Sequence, residues 1–295
     1  MVIIMLDNIK KEALVWRDEL CLGDEKIDKQ HESLFMKAME LYHAATSSAE
    51  DRKQKCIEII LFLKDYAILH FADEEAYQKS IGYKDFEMHK RIHDEFKKDI
   101  GVQEKLLVDS DFADSVVKGF TGMLIAWLVY HVSDADQRIV KEKVASKVLQ
   151  SKTDVVCESI CKVWNIMNIL DSKDVTRVNS DVTPLDEDIV VAAELGGDIA
   201  GNITIVYPLS FVKYLVKSSI GFEPDSIGDL ETSLLVTVSN FIFQNISELI
   251  SEERKATCFA HPATIASKYA IDTDQRIALD TGMGKVGVGI TLDYE

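Results

Sequence analysis

The sequence predicts a multidomain chain: an all-α antiparallel four-helix bundle followed by an α+β domain. Three observations predict it. All four prolines (Pro184, Pro208, Pro224, Pro262) lie after residue 183, and a proline-free stretch permits long uninterrupted helices. Six of the seven histidines (His31, His43, His70, His89, His93, His131) lie before residue 132. Apolar residues recur at helical spacing in the first half and change to strand-like runs after residue 185. The 295 residues suit two domains of roughly 100–200 residues each. We place the boundary near residue 144, giving domains 1–144 and 145–295.

In the first half, one helix runs from about Lys29 to Ala45, opening after Asp28. A second runs from Glu50 to about Ser80, with Gly82 just past its end. A third covers about Asp85 to Leu107. A fourth begins near Phe112, after the polar Asp109-Ser110-Asp111 break, and includes Trp127 and His131. Short connections make such helices antiparallel neighbours. The stretch from Gln137 to about Asn168 has no proline or glycine, so it either continues the fourth helix or starts a new one.

In the second half, Ile189–Ala193 and Ile203–Tyr207 read as strands joined through Gly196, Gly197 and Gly201. Pro208 to Ile220 reads as a helix with proline at its start. Ser233 to Ile250 reads as a longer helix. Ala256–Phe259, Ile277–Leu279 and Val286–Leu292 read as strands. The glycine-rich run Gly282 to Gly289 lacks the order of a phosphate loop and no helix follows it, so its glycines belong to turn and strand.

Composition narrows the function. The chain is 47% hydrophobic and 28% charged, which excludes disordered and collagen-like architectures. Its net charge of −17 is spread over both halves. That argues against nucleic-acid partners, which need a basic patch, and against an anionic membrane. Five scattered cysteines form no disulfide framework or CxxC pattern, and Cys157 and Cys161, one turn apart, read as buried thiols. The N-terminal MVIIML is too short for a signal-peptide core, and no run of about 18 apolar residues spans a membrane. The cytoplasm is the expected location.

The chemistry lies in the spacing of histidines and carboxylates. His70 and Glu74 are four apart and share one helix face, as do His89 and His93. His131 and Asp136 are five apart, a spacing that works at a helix end where the chain turns. His31 stands alone on the first helix. A single core histidine, or one HxxxH pair, ordinarily means only packing or a solvated face. Seven such residues in register on four helices mean a metal site. Two six-coordinate ions offer about twelve positions. Five imidazoles, two bridging carboxylates and one bridging oxo or hydroxo group leave one of them open. Mixed imidazole and carboxylate ligation suits iron, and the absence of thiolates disfavours structural zinc. His43, with Glu40 three before it, lacks the partners of a ferritin-like site and reads as a surface or supporting residue. Glu75 points off the ligand face and reads as solvated.

The runs Ile27-Asp28-Lys29-Gln30-His31, His70-Phe71-Ala72-Asp73-Glu74-Glu75, His89-Lys90-Arg91-Ile92-His93 and Trp127-Leu128-Val129-Tyr130-His131 through Asp136 resemble bacterial hemerythrin, over about residues 13–140. The resemblance implies a non-haem di-iron centre that is oxo- or hydroxo-bridged and binds O2. It implies that His89, His93 and His131 hold one iron, that His31 and His70 hold the other with its sixth position left for O2, and that Glu74 and Asp136 bridge the pair. It also implies that Trp16 and Trp127 pack near the site.

Residues 146–295 resemble the CheX/CheC family of chemotaxis phosphatases. The order helix, strand, glycine-rich turn, strand, helix, then a helix carrying Asn240 and Asn245, carries the likeness. The resemblance implies a CheY-like response regulator as partner and a homodimer formed through this domain. In the family an acid and an Asn on the helix act on an aspartyl phosphate. Here Thr237 stands where the acid belongs and Gln244 where glycine is usual. That departure counts against phosphatase activity and leaves docking or dimerisation as the expected role. The combined expectation is an O2-responsive signalling protein of chemotaxis type. The alternatives are O2 storage or scavenging without signalling, or an O2-regulated phosphatase acting on the phosphorylated regulator.

Overall fold

Local hydrogen-bonding chemistry sets where each helix starts and stops. A computed structural model describes residue 16 and residues 20–45, 47–140, 152–167, 169–170, 172–178, 184–221, 223–267 and 275–293. The described elements fall into two compact units, taken in turn.

In the first unit, helix α1 spans Glu25–Ala45. Asp24 caps it, accepting from the backbone N–H groups of Lys26 (3.0 Å) and Ile27 (3.1 Å). Asp28, the cap expected from the sequence, lies one turn inside. Its carboxylate reaches back to the N–H groups of Leu22 (2.7 Å) and Gly23 (3.2 Å). Helix α2 spans Ala49–Ser80, capped by Ser48, and Gly82 follows its end with a left-handed φ of 68°. Helix α3 spans Phe86–Asp109. Asp111 and Phe112 both take positive φ (51° and 57°) and reverse the chain, so α4 starts at Asp114, just past the expected Phe112. Helix α4 (Asp114–Tyr130) is the core helix, buried continuously from Leu124 to Tyr130. It does not end at His131, as the five-residue spacing suggested. It widens into one π-turn, His131–Ala135, and continues as α5, Gln137–Val140.

In the second unit, α6 spans Lys152–Ile166. Residues 141–151 lie outside the described residues, and with them the question of whether the fourth helix runs on into α6. Cys157 and Cys161 are half-buried rather than fully buried. Seven strands follow: β1 Thr176–Val178, β2 Ile189–Gly197, β3 Ala200–Tyr207, β4 Cys258–Ala260, β5 Thr264–Ile265, β6 Gln275–Asp280 and β7 Lys285–Asp293. Between β3 and β4 come α7, Leu209–Ile220, and α8, Asp229–Arg254. Helix α8 therefore opens a turn earlier than expected. The antiparallel sheet has the order β1-β6-β7-β3-β2-β4, and β5 also pairs with β2. The short strands β1 and β5 show no readable period, and the sequence did not reveal them.

The β2–β3 hairpin turns at Asp198-Ile199, because Gly196, Gly197 and Gly201 lie inside the strands. Gly197 (φ 109°) lets β4 approach: a Cβ there would sit 2.6 Å from the Thr257 carbonyl oxygen. Trp164, Tyr207, Phe211 and Phe243 fill the core between sheet and helices, each fully buried. Tyr207 keeps its hydroxyl paired, 3.0 Å from the Ser239 hydroxyl. Gly282 and Gly284 lie in the β6–β7 turn and no helix follows, as expected.

Among the described residues, two helical stretches, Asp114–Val140 and Asp229–Arg254, are long and apolar enough to cross a membrane by length and composition alone. Of their most apolar windows, 72% and 67% are buried inside the fold. Packing of most of each window into a core accounts for that composition.

Candidate metal centre

Helical periodicity aims the seven expected side chains inward from all four helices. His31 comes from α1, His70 and Glu74 from α2, His89 and His93 from α3, and His131 and Asp136 from either end of the π-turn. All seven are buried, none more than 2% exposed. The π-turn makes the last pair possible. The Asp136 N–H donates to the His131 carbonyl, so five residues complete one wide turn and both side chains face the bundle axis.

The imidazole Nε2 atoms and the carboxylates converge. His89 Nε2 lies 3.1 Å from His93 Nε2, which lies 3.3 Å from His131 Nε2. Glu74 reaches His89 (2.7 Å) with one oxygen, and His70 (3.5 Å) and His93 (3.7 Å) with the other. Asp136 lies 3.1 Å from His131 and 3.3 Å from His89 through one oxygen, and 3.1 Å from His31 through the other. Among the described residues, two groups have ligand atoms within 4.8 Å of one another: Glu74, His89, His93 and His131, and His31, His70 and Glu74. Glu74 belongs to both.

These contacts are close, yet many do not satisfy the atoms involved. Nε2 of His31 and of His70, Oε2 of Glu74 and both carboxylate oxygens of Asp136 are buried without a hydrogen-bond partner. Buried polar atoms are normally paired, so a cluster of orphans at this density fits bound cations. The donor set, imidazole nitrogen and carboxylate oxygen, suits a transition metal.

The electrostatics of the metal-free cluster prepare most ligands for a cation. Burial holds the His70 and His93 imidazoles well below the usual histidine range, and His131 is pushed down to about 3 for the same reason. These rings are therefore neutral. Burial also works against a charge on His89, but the carboxylates of Asp136 and Glu74 outweigh it and raise the ring to about 9. Glu74 is raised by burial and by the charge of Asp136. Burial opposes ionisation of Asp136 too, yet the surrounding His131, His31 and His89 hold it well below the carboxylate range.

Supporting groups that sequence spacing did not identify surround the cluster. Gln30 Oε1 lies 3.1 Å from His70 Nδ1. Gln78 donates to Glu74 at 2.6 Å. Glu75 is not solvated as expected: it is half-buried, and its carboxylate lies 3.3 Å from His93 Nδ1. Such partners fix ring orientation and leave Nε2 for the metal. Aromatic plates flank the rings. Phe71 stacks on His93 (3.9 Å) and Trp127 on His131 (4.3 Å), while Trp16 lies 5.9 Å from His31. Both tryptophans thus pack near the site, as expected. An apolar pocket lined by Leu34, Leu63, Ala67, Leu124 and Leu128 meets the cluster at His70. His43 is exposed at the end of α1, apart from the cluster.

On α8, the carboxamide oxygen of Asn240 accepts from the Ala263 N–H (2.7 Å). Asn245 is buried, donating to the Phe241 carbonyl (2.8 Å) and accepting from Lys162 (3.0 Å). Thr237 is buried and Gln244 exposed. The two asparagines therefore do not form one exposed pair: Asn245 serves the interior.

Comparison with known proteins agrees with the geometry. Residues 22–142 match the hemerythrin HHE cation binding domain. The chain is 35% identical to a bacteriohemerythrin of Clostridium acetobutylicum over 127 residues, which are 43% of this chain and 98% of that protein. It is 32% identical to a bacteriohemerythrin of Stenotrophomonas maltophilia over 125 residues, 42% of this chain and 77% of that one. Among solved structures it is similar to the chemotaxis protein CheX from Vibrio vulnificus, with TM-score 0.42 and 12% identity, over 50% of this chain and 100% of that one. It is also similar to a CheC-like superfamily protein from Shewanella, with TM-score 0.42 and 15% identity, over 50% and 99%. Through its helical N-terminal unit, the chain belongs to the hemerythrin family.

Proposed function

We propose that the helical unit carries a di-iron centre that binds O2, and that the chain is an O2-responsive signalling protein whose α+β unit is the output or dimerisation part. The observation that carries the O2 reading is the apolar pocket, which meets a buried cluster of unpaired metal-ligand atoms at a single ligand, His70. In this reading His89, His93 and His131 hold one iron, His31 and His70 hold the other, and Glu74 and Asp136 bridge. The shared position of Glu74 in both groups supports the bridging role. When bound, the iron pair supplies the electrons for reversible O2 binding.

The chain's own residues do the rest. Leu34, Leu63 and Leu124 exclude water from the approach to His70. Gln30, Gln78 and Glu75 hold the ligand side chains in place. Asp136 couples the cluster to the backbone of the π-turn, from which the chain runs through α5 toward α6. A rearrangement at the cluster would be felt first in that segment. A signalling role requires two states with different partner affinity. The partner, a CheY-like regulator, rests on the sequence resemblance of residues 146–295, and a cytoplasmic setting on the scattered cysteines and the short N-terminal apolar run.

Iron content and an absorption spectrum in air test the reading. Two irons per chain and a visible charge-transfer band that changes when O2 is removed are expected. The band should be lost in His70→Ala and Glu74→Ala. One zinc per chain and no visible band would overturn the di-iron claim. Hydrogen exchange across residues 137–170 tests signalling: identical exchange with and without O2 on the loaded protein would leave storage as the better reading.

A further inference from the structure

His70 is held by a chain of polar side chains that starts at the protein surface. Lys26, 64% exposed, donates to Asp73 Oδ1 at 2.7 Å. Gln30 Nε2 donates to Asp73 Oδ2 at 2.8 Å. Gln30 Oε1 then faces His70 Nδ1 at 3.1 Å. Each link constrains the next. An ammonium can only donate, and an ionised carboxylate can only accept. Asp73 therefore takes the NH2 end of the Gln30 amide. That turns the amide oxygen, which can only accept, toward His70. His70 must in turn carry its proton on Nδ1, and its Nε2 lone pair is left free. That Nε2 is one of the unpartnered buried atoms of the cluster.

We infer that Asp73 is a positioning residue for the metal centre: acting through Gln30, it sets the tautomer of His70. The inference rests on the metal-centre reading above and adds a residue two links removed from the cation. The remaining ligands are supported differently. Glu75 faces His93 directly, with no intermediary to orient. An amide, by contrast, can present either end, so Gln30 needs an external group to choose for it. Asp73 is that group, and Lys26 keeps its charge in place.

The substitution Asp73→Asn tests this. Lys26 can donate only to the new amide's oxygen, so its NH2 end turns toward Gln30. Gln30 must then flip and present its own NH2 to His70, which moves the ring proton to Nε2. The swapped pair Gln30→Glu with Asp73→Asn rebuilds the original pattern, with Asn donating to Glu and Glu accepting from His70.

The full-length chain, labelled with 15N in its histidines, gives the first readout without metal: which His70 nitrogen bears the proton. Zn2+ titration of the same metal-free chain gives the second. In the wild-type chain the proton should sit on Nδ1. In Asp73→Asn it should move to Nε2, and one Zn2+ site should weaken by about 10–100-fold. The swapped pair should restore both readouts. A wild-type proton on Nε2, an unchanged tautomer in Asp73→Asn, or a swapped pair that fails to recover would each overturn the inference. Fewer than two Zn2+ sites in the wild type, with the tautomer responding as described, would count against the two-ion reading and leave the role of Asp73 standing. If Asp73→Asn does not fold, the swapped pair alone decides, because it must then both fold and keep the Nδ1 proton.

Discussion

The backbone N–H of Asp136 donates to the carbonyl of His131, 3.0 Å away and five residues earlier. In a regular α-helix residues five apart lie about 140° around the axis from each other. The π-turn removes that offset, at a cost in helix regularity. Deleting Ser133, the most exposed residue of the turn, should restore α-helical geometry. The metal-free chain should then melt higher, each kcal/mol regained being worth roughly 2–4 °C. Metal binding should persist, because the deletion leaves His131 and Asp136 four residues apart, the spacing that keeps two side chains on one helix face. Calorimetry with and without Zn2+ reads both effects. A deletion that abolishes metal binding would show that ligation needs the π-turn itself and not only the shared face it gives the pair.

Protonation should govern the metal-free chain in both directions from neutral. His89 is raised to about 9, so its contribution to stability is fully present below about pH 6.5 and is lost as pH rises through 9. His131 is depressed to about 3, so its contribution is present above pH 6.5 and is lost as pH falls toward 3. Metal-free stability of the helical unit should therefore peak near pH 6.5. A ligand must shed its ring proton to bind a cation. Loading at pH 7–8 should release about one proton from His89, and none above its pKa. Titration calorimetry in two buffers of different ionisation enthalpy counts that proton.

Ala67 lines the apolar pocket and is itself buried. Ala67→Leu should fill the pocket beside His70 while leaving every ligand side chain unsubstituted. Overpacking costs about 1–3 kcal/mol. Iron content should be unchanged, while the O2-dependent change in the visible spectrum is suppressed at least about tenfold. Equal loss of iron and O2 response would mean that the pocket serves ligand packing alone.

Asn245→Ala should destabilise the α+β unit by about 1–3 kcal/mol, since it strips buried hydrogen bonds from Lys162 and the Phe241 carbonyl. Neither it nor Asn240→Ala should alter the half-life of a phosphorylated receiver domain mixed with the chain. Thr237 is neutral and offers no carboxylate for an ion pair. Accelerated dephosphorylation that vanishes in Asn240→Ala would establish an active phosphatase.

The parts of this structure that were legible in the sequence are those governed by helical period. Four-residue spacing puts His70 with Glu74, and His89 with His93, on one face whatever the tertiary context. Helix starts were less legible. On sequence alone the first helix opens after Asp28, whereas Asp24 caps α1 and Asp28, one turn inside, reaches back to Leu22. Glu75 was misread because its angle was judged against its own helix. Its partner, His93, sits on the neighbouring one. Gln30 and Gln78 carry no spacing signal of their own. The strands β1 and β5 are held by pairing across the sheet, which two or three residues cannot announce.

The stacked rings around the cluster also give it an intrinsic optical reporter. Of three tryptophans in the chain, Trp127 lies 4.3 Å from the His131 ring and 3.6 Å from Phe96, and Trp16 lies 5.9 Å from His31. Their emission depends on the charge and electronic state of the imidazoles they touch. Trp164, fully buried against Phe211 in the second unit, is an internal reference. Occupancy of the centre can thus be followed as quenching of part of the fluorescence, with no added label, even for colourless ions that give no absorption band.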